Sequence, residues 1–430
     1  MPIQAEDMSR QSRQALCPLC AKAGLRPLLA CPAFIGVPTS GMFGTSPDSP
    51  VRRRDLAFDY CPACACVTQR IDAVRAIDYA DVARSTARQL PDYARHLITR
   101  MRQEKPDGLV VEVGCNDGTF LSELRNAGYT RRLGIEPSAS LAAAARAAGH
   151  DVTQAPLDAD TAYEFVARHG LADIVVCRHT LEHVPQPLGF LATLHSLLAP
   201  EGLACIEVPS LAPLIERLHI EELWDEHLTY FLPHNLAAAL TGSGCGVESL
   251  AIEVHRGMEN LVVWARKTQA ATLLLPEHQA AALCASFGQR WREASQRLRD
   301  AVAAAPRPRV AMGASHPQAN FINFSGIADL VDATIDDDAA KMGRYLPLIG
   351  HSIPIHPTSA LPQIIEGGTL LLTGFGYPQW SAAAQAAVRG GAKTVIDVSG
   401  LIAELSADSI VTPASGVIDD DAQRRRAHAR

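Results

Sequence analysis

The stretch Gly108-Leu-Val-Val-Glu-Val-Gly-Cys-Asn-Asp-Gly-Thr-Phe-Leu121 decides the fold. Leu109 to Val113 is a short β-branched run, the composition of a strand buried on both faces. Gly114 and Gly118 supply a turn at its end, and Thr119 to about Ala127 reads as a helix. The alternation continues downstream: Arg132 to Glu136 is a second strand, Pro137 and Ser138 open an Ala-rich helix, Asp173 to Cys177 is a third strand and Leu203 to Val208 a fourth. Strands alternating with helices predict a parallel sheet covered on both faces. Ligands of such sheets lie at the carboxyl ends of the strands, which is where the glycine turn falls. The turn is not the dinucleotide fingerprint, because Asn116 stands two residues after Gly114. Nor is it a phosphate loop, because no Gly-Lys-Ser or Gly-Lys-Thr follows. Glu136 closes the second strand, and its two carboxylate oxygens suit the two hydroxyls of a ribose.

Outward from this block, the chain changes character twice. On the C-terminal side, residues 270–306 read as one helix, stopped by Pro306 and Pro308. Four strands follow, Arg309 to Gly313, Leu330 to Ile335, Thr369 to Thr373 and Lys393 to Ile396. This second α/β block can share the first one's fold without sharing its sequence. On the N-terminal side, Ala83, Leu90, Tyr93, Ala94, Leu97, Ile98 and Met101 make a helical apolar face within residues 76–105. Before that, the chain is rich in Cys, Pro and Gly. Six of its 11 cysteines, Cys17, Cys20, Cys31, Cys61, Cys64 and Cys66, fall in the first 66 residues.

Cys17-Pro-Leu-Cys20 and Cys61-Pro-Ala-Cys64 are two C-x-x-C knuckles. Four thiolates on two tight turns can surround a tetrahedral zinc ion at about 2.3 Å, and a site closed by four protein ligands is structural, not catalytic. Four buried or redox-active thiols are the alternative, and Cys66 can stand in for Cys64 as a ligand. The expected architecture is therefore α/β in three parts. Residues 1–75 form a zinc-binding module, and 76–270 hold a linker helix and a central Rossmann-like domain. Residues 271–415 form a C-terminal Rossmann-like domain, with 416–430 a basic disordered tail.

Composition sets bounds on function. Among 430 residues, 47% are hydrophobic and 20% charged, which excludes a disordered chain. Lys plus Arg number 39 against 46 Asp plus Glu, a net charge of −7 that speaks against a nucleic-acid binder. No apolar run reaches a membrane span, and the start Met1-Pro-Ile-Gln-Ala-Glu-Asp7 has no secretory pattern, so a cytoplasmic protein is expected.

The Glu112-Val-Gly-Cys-Asn-Asp-Gly118 loop resembles the first motif of class I S-adenosylmethionine-dependent methyltransferases. That resemblance implies donor contacts from Glu112, Gly114, Asn116, Asp117, Gly118 and Glu136. Asp158 would sit near the adenine, although a solvated loop Asp reads equally well there. His179 and His183, with Glu182 between them in Cys177-Arg-His-Thr-Leu-Glu-His183, would face the reacting methyl group. Two knuckles, this loop, Gly134-Ile-Glu-Pro-Ser138, Thr180-Leu-Glu-His-Val184 and Leu223-Trp-Asp-Glu-His-Leu-Thr-Tyr-Phe231 together look like one family. It is the zinc-containing sugar C-methyltransferases, which act on nucleotide-linked 4-keto-6-deoxyhexoses. Asp336-Asp-Asp-Ala-Ala-Lys-Met-Gly-Arg-Tyr-Leu-Pro347, followed by Ile353-Pro-Ile355, is similar to that family's C-terminal stretch.

The resemblance implies a C-terminal domain that helps hold the nucleotide-sugar. It also implies a base that removes the proton next to the keto group, giving an enolate that attacks the donor's methyl carbon. His227 would be the base, Glu226 its positioning partner, and His183 a contact to the sugar or its enolate. Tyr79, Trp224, Asp225, Lys341 and Arg344 would touch the substrate. Trp224 stands where the family usually has Tyr, which replaces a phenol with an indole that can only donate. The implied partner is a small molecule bound by a monomer or homodimer. Two other readings stay open: methyl transfer to N or O of another small metabolite, and a non-catalytic scaffold.

Overall fold

The computed structural model describes residues 15–35, 43–50, 53–70, 90–255, 257–267, 280–373, 379–398 and 400–402. Tyr79, Ala83 and the tail 416–430 lie outside the described residues. The strands are β1 (Arg26–Ile35), β2 (Arg53–Tyr60), β3 (Val67–Gln69), β4 (Val110–Val113), β5 (Arg132–Ile135), β6 (Asp151–Thr153), β7 (Ala172–Arg178), β8 (Leu198–Pro209), β9 (Thr229–Tyr230), β10 (Gly246–His255), β11 (Met258–Arg266), β12 (Arg309–Met312), β13 (Ala333–Ile335), β14 (Tyr345–Leu348), β15 (His351–His356), β16 (Thr369–Leu372) and β17 (Thr394–Asp397). They form three sheets.

The central sheet has seven strands in the order β10-β11-β8-β7-β4-β5-β6. Strands β6, β5, β4, β7 and β8 are parallel, and β11 runs against both β8 and β10. This is the class I methyltransferase fold that the sequence predicts. Its strands are apolar on both faces because both faces are covered. Val110 packs with Ile174, Val176 and Trp264 on one side. Val111 and Val113 pack with Val175, Cys177 and Ile206 on the other. Each such residue is fully buried, worth about 1.5–3 kcal/mol per side chain.

The C-terminal sheet has the order β14-β15-β13-β12-β16-β17, parallel except for the edge strand β14. It repeats the central sheet's device at the same place. Gly114 donates its backbone N–H to Ile135 O at 2.8 Å, and Gly313 donates to Ile335 O at 2.8 Å. The acid closing the second strand then accepts from the loop and from the residue two places on. Glu136 takes Asn116 N at 3.0 Å and Ser138 N at 2.9 Å. Asp336 takes Ala314 N at 2.9 Å and Asp338 N at 2.9 Å. The two blocks thus share their loop geometry without sharing its sequence.

The N-terminal sheet is β1-β2-β3-β9, antiparallel throughout. Its fourth strand, Thr229–Tyr230, comes from the stretch that follows His227. Phe34 and Phe58 are fully buried and meet Phe324 at ring distances of 5.0 and 6.4 Å. They share one apolar cluster with Phe287, Trp291 and Leu298 of the helix Ala280–Ala304. Some element edges differ from the sequence reading. The helix within 76–105 runs Tyr93–Glu104, because Pro91 precedes it. Leu330 belongs to a 3-10 turn, Ala328–Leu330, and the strand begins only at Ala333.

Candidate functional site

The glycine loop is held in left-handed backbone: Gly114 has φ 75°, Asn116 53° and Gly118 80°. A Cβ on Gly114 would meet Thr180 Oγ1 at 2.1 Å, and one on Gly118 would meet His150 Cδ2 at 2.6 Å. Both glycines are thus required by conformation and by close neighbours within the chain. Asp117 Oδ1 accepts from Thr119 N at 3.1 Å and Thr119 Oγ1 at 2.6 Å, fixing the entry to the helix Thr119–Asn126. Glu136 is buried, and each of its oxygens accepts one backbone N–H. Glu112 is also buried, and its Oε2 has no hydrogen-bond partner. Burial pushes its carboxyl up to about 8, against the pull of Arg178. Asp158 is exposed and accepts Thr161 N at 2.8 Å as the cap of the helix Ala159–His169.

Glu207, on β8, is the electrostatic centre beside the loop. It is 0% exposed. It accepts from Tyr93 OH at 2.5 Å and Arg178 Nε at 2.5 Å, and pairs with His179 Nε2 at 2.9 Å. Burial alone would raise its pKa, but Arg178 and His179 overturn that and hold it far below the usual carboxylate range. His179 is partly exposed, and Glu207 and Glu182 raise it well above an ordinary imidazole. His179 is held at φ 48°.

The histidines meet across three elements. His183 ends the 3-10 turn Leu181–His183, and its Nδ1 lies 3.0 Å from Glu226 O. His227 is 6% exposed, and its ring sits 4.8 Å from that of His183, edge to face. The Trp224 indole lies between two imidazoles, stacked on His227 at 5.2 Å and on His316 at 4.1 Å. His316 begins the helix His316–Phe324 of the C-terminal block, and its Nε2 is 3.9 Å from Asp225 Oδ1. Burial, then His183, His316 and His179, hold His227 well below the ordinary imidazole range, so it is neutral at pH 7. Tyr230 fixes this segment by donating its hydroxyl to Trp224 O at 3.0 Å and accepting Trp224 N at 2.9 Å.

The structure therefore gathers His179, His183, Trp224, Asp225, Glu226 and His227 in one neighbourhood. Lys341 instead pairs with Asp336 at 2.7 Å in the C-terminal loop, and Arg344 is exposed. His316 and Arg178 were not singled out by the sequence, and Tyr93 was read only as part of an apolar helix face. His316 follows Gly313-Ala-Ser, the loop after a first strand, and that placement is the one sequence signal it carries. Glu207 announces itself as an acid inside an apolar strand, which demands a partner.

The cysteines converge as their spacing predicts. Cys17, Cys20, Cys61 and Cys64 form one cluster. Cys17 Sγ is 3.6 Å from Cys64 Sγ, and Cys20 Sγ is 3.5 Å from Cys61 Sγ. A tetrahedron with 2.3 Å bonds has an edge of roughly 3.8 Å, so the set fits a closed four-thiolate ion site. Cys66 Sγ stands 3.3 Å from Cys17 Sγ. The second knuckle grips the histidine segment. Cys64 O lies 3.0 Å from His234 Nε2 and accepts from Asn235 Nδ2 at 3.0 Å, while Leu228 O accepts Gln69 N at 2.9 Å and Thr68 Oγ1 at 2.9 Å. Among the described residues, no helix is long and apolar enough to cross a membrane.

Comparison with known proteins defines the class first. Residues 86–250 match the family model described as "Methyltransferase domain", and residues 266–396 match "C-methyltransferase C-terminal domain". The chain is 34% identical over 163 residues to the C-methyltransferase NovU of Streptomyces niveus, covering 38% of each protein. It thus spans well under half the length of that relative. The chain thus carries a methyltransferase domain followed by a C-methyltransferase C-terminal domain. Among solved structures, it is similar to an S-adenosylmethionine-dependent methyltransferase from Mesorhizobium loti, with 18% identity over 40% of this chain and 96% of that one and a TM-score of 0.32. It is also similar to magnesium protoporphyrin IX methyltransferase from Synechocystis PCC 6803, with 14% identity over 41% and 78% and a TM-score of 0.32.

Proposed function

We propose that this protein methylates the carbon next to the keto group of a nucleotide-linked 4-keto-6-deoxy sugar, with His227 as the general base. The observation that carries this reading is the state of His227: buried, neutral, and with its Nδ1 free of any hydrogen-bond partner. A structural histidine buried to that degree would normally spend both nitrogens on hydrogen bonds.

The donor side fits S-adenosylmethionine. Glu112 Oε2 is a buried acceptor left without a partner, and each Glu136 oxygen keeps a second lone pair after taking its backbone N–H. Glu136 would hold the ribose, the loop from Gly114 to Gly118 the donor's amino-acid part, and His179 would border the methyl group. Bound there, the donor supplies an electrophilic methyl group, which the acceptor carbon takes up. On the acceptor side, a ketone acidifies the neighbouring C–H, and a neutral imidazole can remove that proton. His183, held by Nδ1–H at Glu226 O, would border the sugar. Trp224 and Asp225 would border the sugar.

The four-cysteine cluster would hold a structural zinc ion whose work is to keep β3 and the second knuckle against the segment carrying His227. A reducing cytoplasmic compartment would keep such a thiolate site intact. A C-methyltransferase C-terminal domain and the likeness to NovU favour carbon over N or O as acceptor.

The test is incubation with S-adenosylmethionine and a panel of nucleotide-linked 4-keto-6-deoxy sugars, read by mass spectrometry for one added methyl. The expected product is lost in His227→Ala while donor binding persists. Absence of product with intact donor binding would reject the sugar acceptor.

A further inference from the structure

We propose that Glu182 is the charge partner of His227, the group that makes so buried an imidazole able to take and hold a proton. This rests on the reading of His227 as the base.

Glu182 is 2% exposed, and neither of its carboxylate oxygens has a hydrogen-bond partner. His179 Nδ1 stands 3.6 Å from its Oε1. A buried carboxylate with one ionic contact at 3.6 Å and no hydrogen bond is poorly compensated, so it stays where further positive charge can reach it. Glu182, His183 and His227 each offer an atom, and the three atoms lie within 4.8 Å of one another. The backbone locks them there. Leu228 N donates to Glu182 O at 2.7 Å, and His183 Nδ1 lies 3.0 Å from Glu226 O. The turn that carries Glu182 is therefore bonded to the residues on both sides of His227.

The groups around His227 explain why a partner is needed. His183 and His179 face it from the turn and the end of β7, His316 from the C-terminal helix, and Trp224, Asp225 and Tyr230 from its own segment. Three of these are imidazoles, and burial already opposes a charge on His227. Of the nearby acids, Asp225 lies beside His316 at 3.9 Å, whereas Glu182 offers an oxygen within 4.8 Å of a ring nitrogen of both His227 and His183. When the acceptor C–H bond breaks, the proton bonds to an imidazole nitrogen of His227 and the electron pair moves onto the keto oxygen. The Glu182 carboxylate offsets the imidazolium as it forms. The proton leaves to water once the product has gone.

Selective 15N-histidine labelling of the full chain follows the protonation of His227 directly and needs no acceptor. In Glu182→Gln, the pH of that protonation should fall by about one unit, a tenfold loss of proton affinity. Glu182→Asp should recover part of it. A second readout is deuterium exchange at the acceptor's α-carbon with S-adenosylhomocysteine bound, which reports proton removal without methyl transfer. Glu182→Gln should slow it about 100-fold while donor affinity stays at the wild-type value. An unmoved His227 titration would overturn the pairing. So would a Glu182→Gln protein whose only defect is weaker donor binding, since Glu182 would then belong to the donor site. A wild-type enzyme that exchanges no acceptor in the panel, yet shows the Glu182-dependent titration, would reject the sugar reading and keep the pairing.

Discussion

Buried charges decide how single residues behave in this molecule, and they do so in opposite directions. Glu207 is ionised and fully used, with Tyr93, Arg178 and His179 around it. Glu207→Gln leaves Arg178 buried without its counter-charge and should cost about 3–5 kcal/mol in urea unfolding. Because the folded pKa of Glu207 is depressed, its contribution is complete above the unfolded carboxylate value near pH 4 and is lost as the pH falls below it. Glu221 and Glu222 behave conversely. Burial raises each to about 8, so the folded state keeps a proton that the unfolded chain gives up. Between pH ~4.5 and 8 their effect is to lower stability as the pH rises. Glu221→Gln should therefore stabilise the protein at pH 8, on the order of 2 kcal/mol, and do little at pH 4.5. Equal effects at both pH values in urea melts would contradict this. Glu136 and Glu112 were legible in the sequence because each stands at a fixed place on a recognisable strand. His316 was not, since its place beside Trp224 depends on how two blocks pack, which local pattern does not encode.

At the scale of elements, the loop after β4 and the strand pair β3–β9 carry the account. Gly114→Ala would place a methyl 2.1 Å from Thr180 Oγ1 at φ 75°. The strain, roughly 1–3 kcal/mol, should appear as lost donor affinity in calorimetric titration, with the sheet intact by circular dichroism. The β3–β9 pair joins the cysteine module to the segment that presents His227. Cys20→Ser, or chelation of the zinc proposed for the four-cysteine cluster, should therefore abolish methyl transfer although no cysteine touches the histidines' chemistry. Donor binding should survive, because the loop after β4 lies in a different sheet. Retained activity after metal loss would show that the module does not position His227. The strands of both α/β blocks were readable because apolar β-branched runs cannot be satisfied except in a covered sheet. The two-residue β9 was not, because two residues carry no period and their pairing is fixed by a partner about 160 positions away.

For the whole molecule, three sheets meet around one cluster of imidazoles. The cysteine module supplies the strut, the central domain the donor loop and His183, and the C-terminal block His316 and the Asn320 side chain that donates to Leu223 O at 2.8 Å. The repeated loop-and-acid device, Glu136 in one block and Asp336 in the other, was legible as two α/β alternations, but their matching hydrogen bonds were not. We propose that this assembly adds a methyl group to carbon through His227. The most direct measurement is mass spectrometry and NMR of the product formed from S-adenosylmethionine and nucleotide-linked 4-keto-6-deoxy sugars, with wild-type protein and His227→Ala side by side. The expected result is a sugar one methyl heavier, with the new carbon–carbon bond next to the keto group, and no such product from the variant. A methyl on nitrogen or oxygen, or undiminished turnover by His227→Ala, would contradict the account.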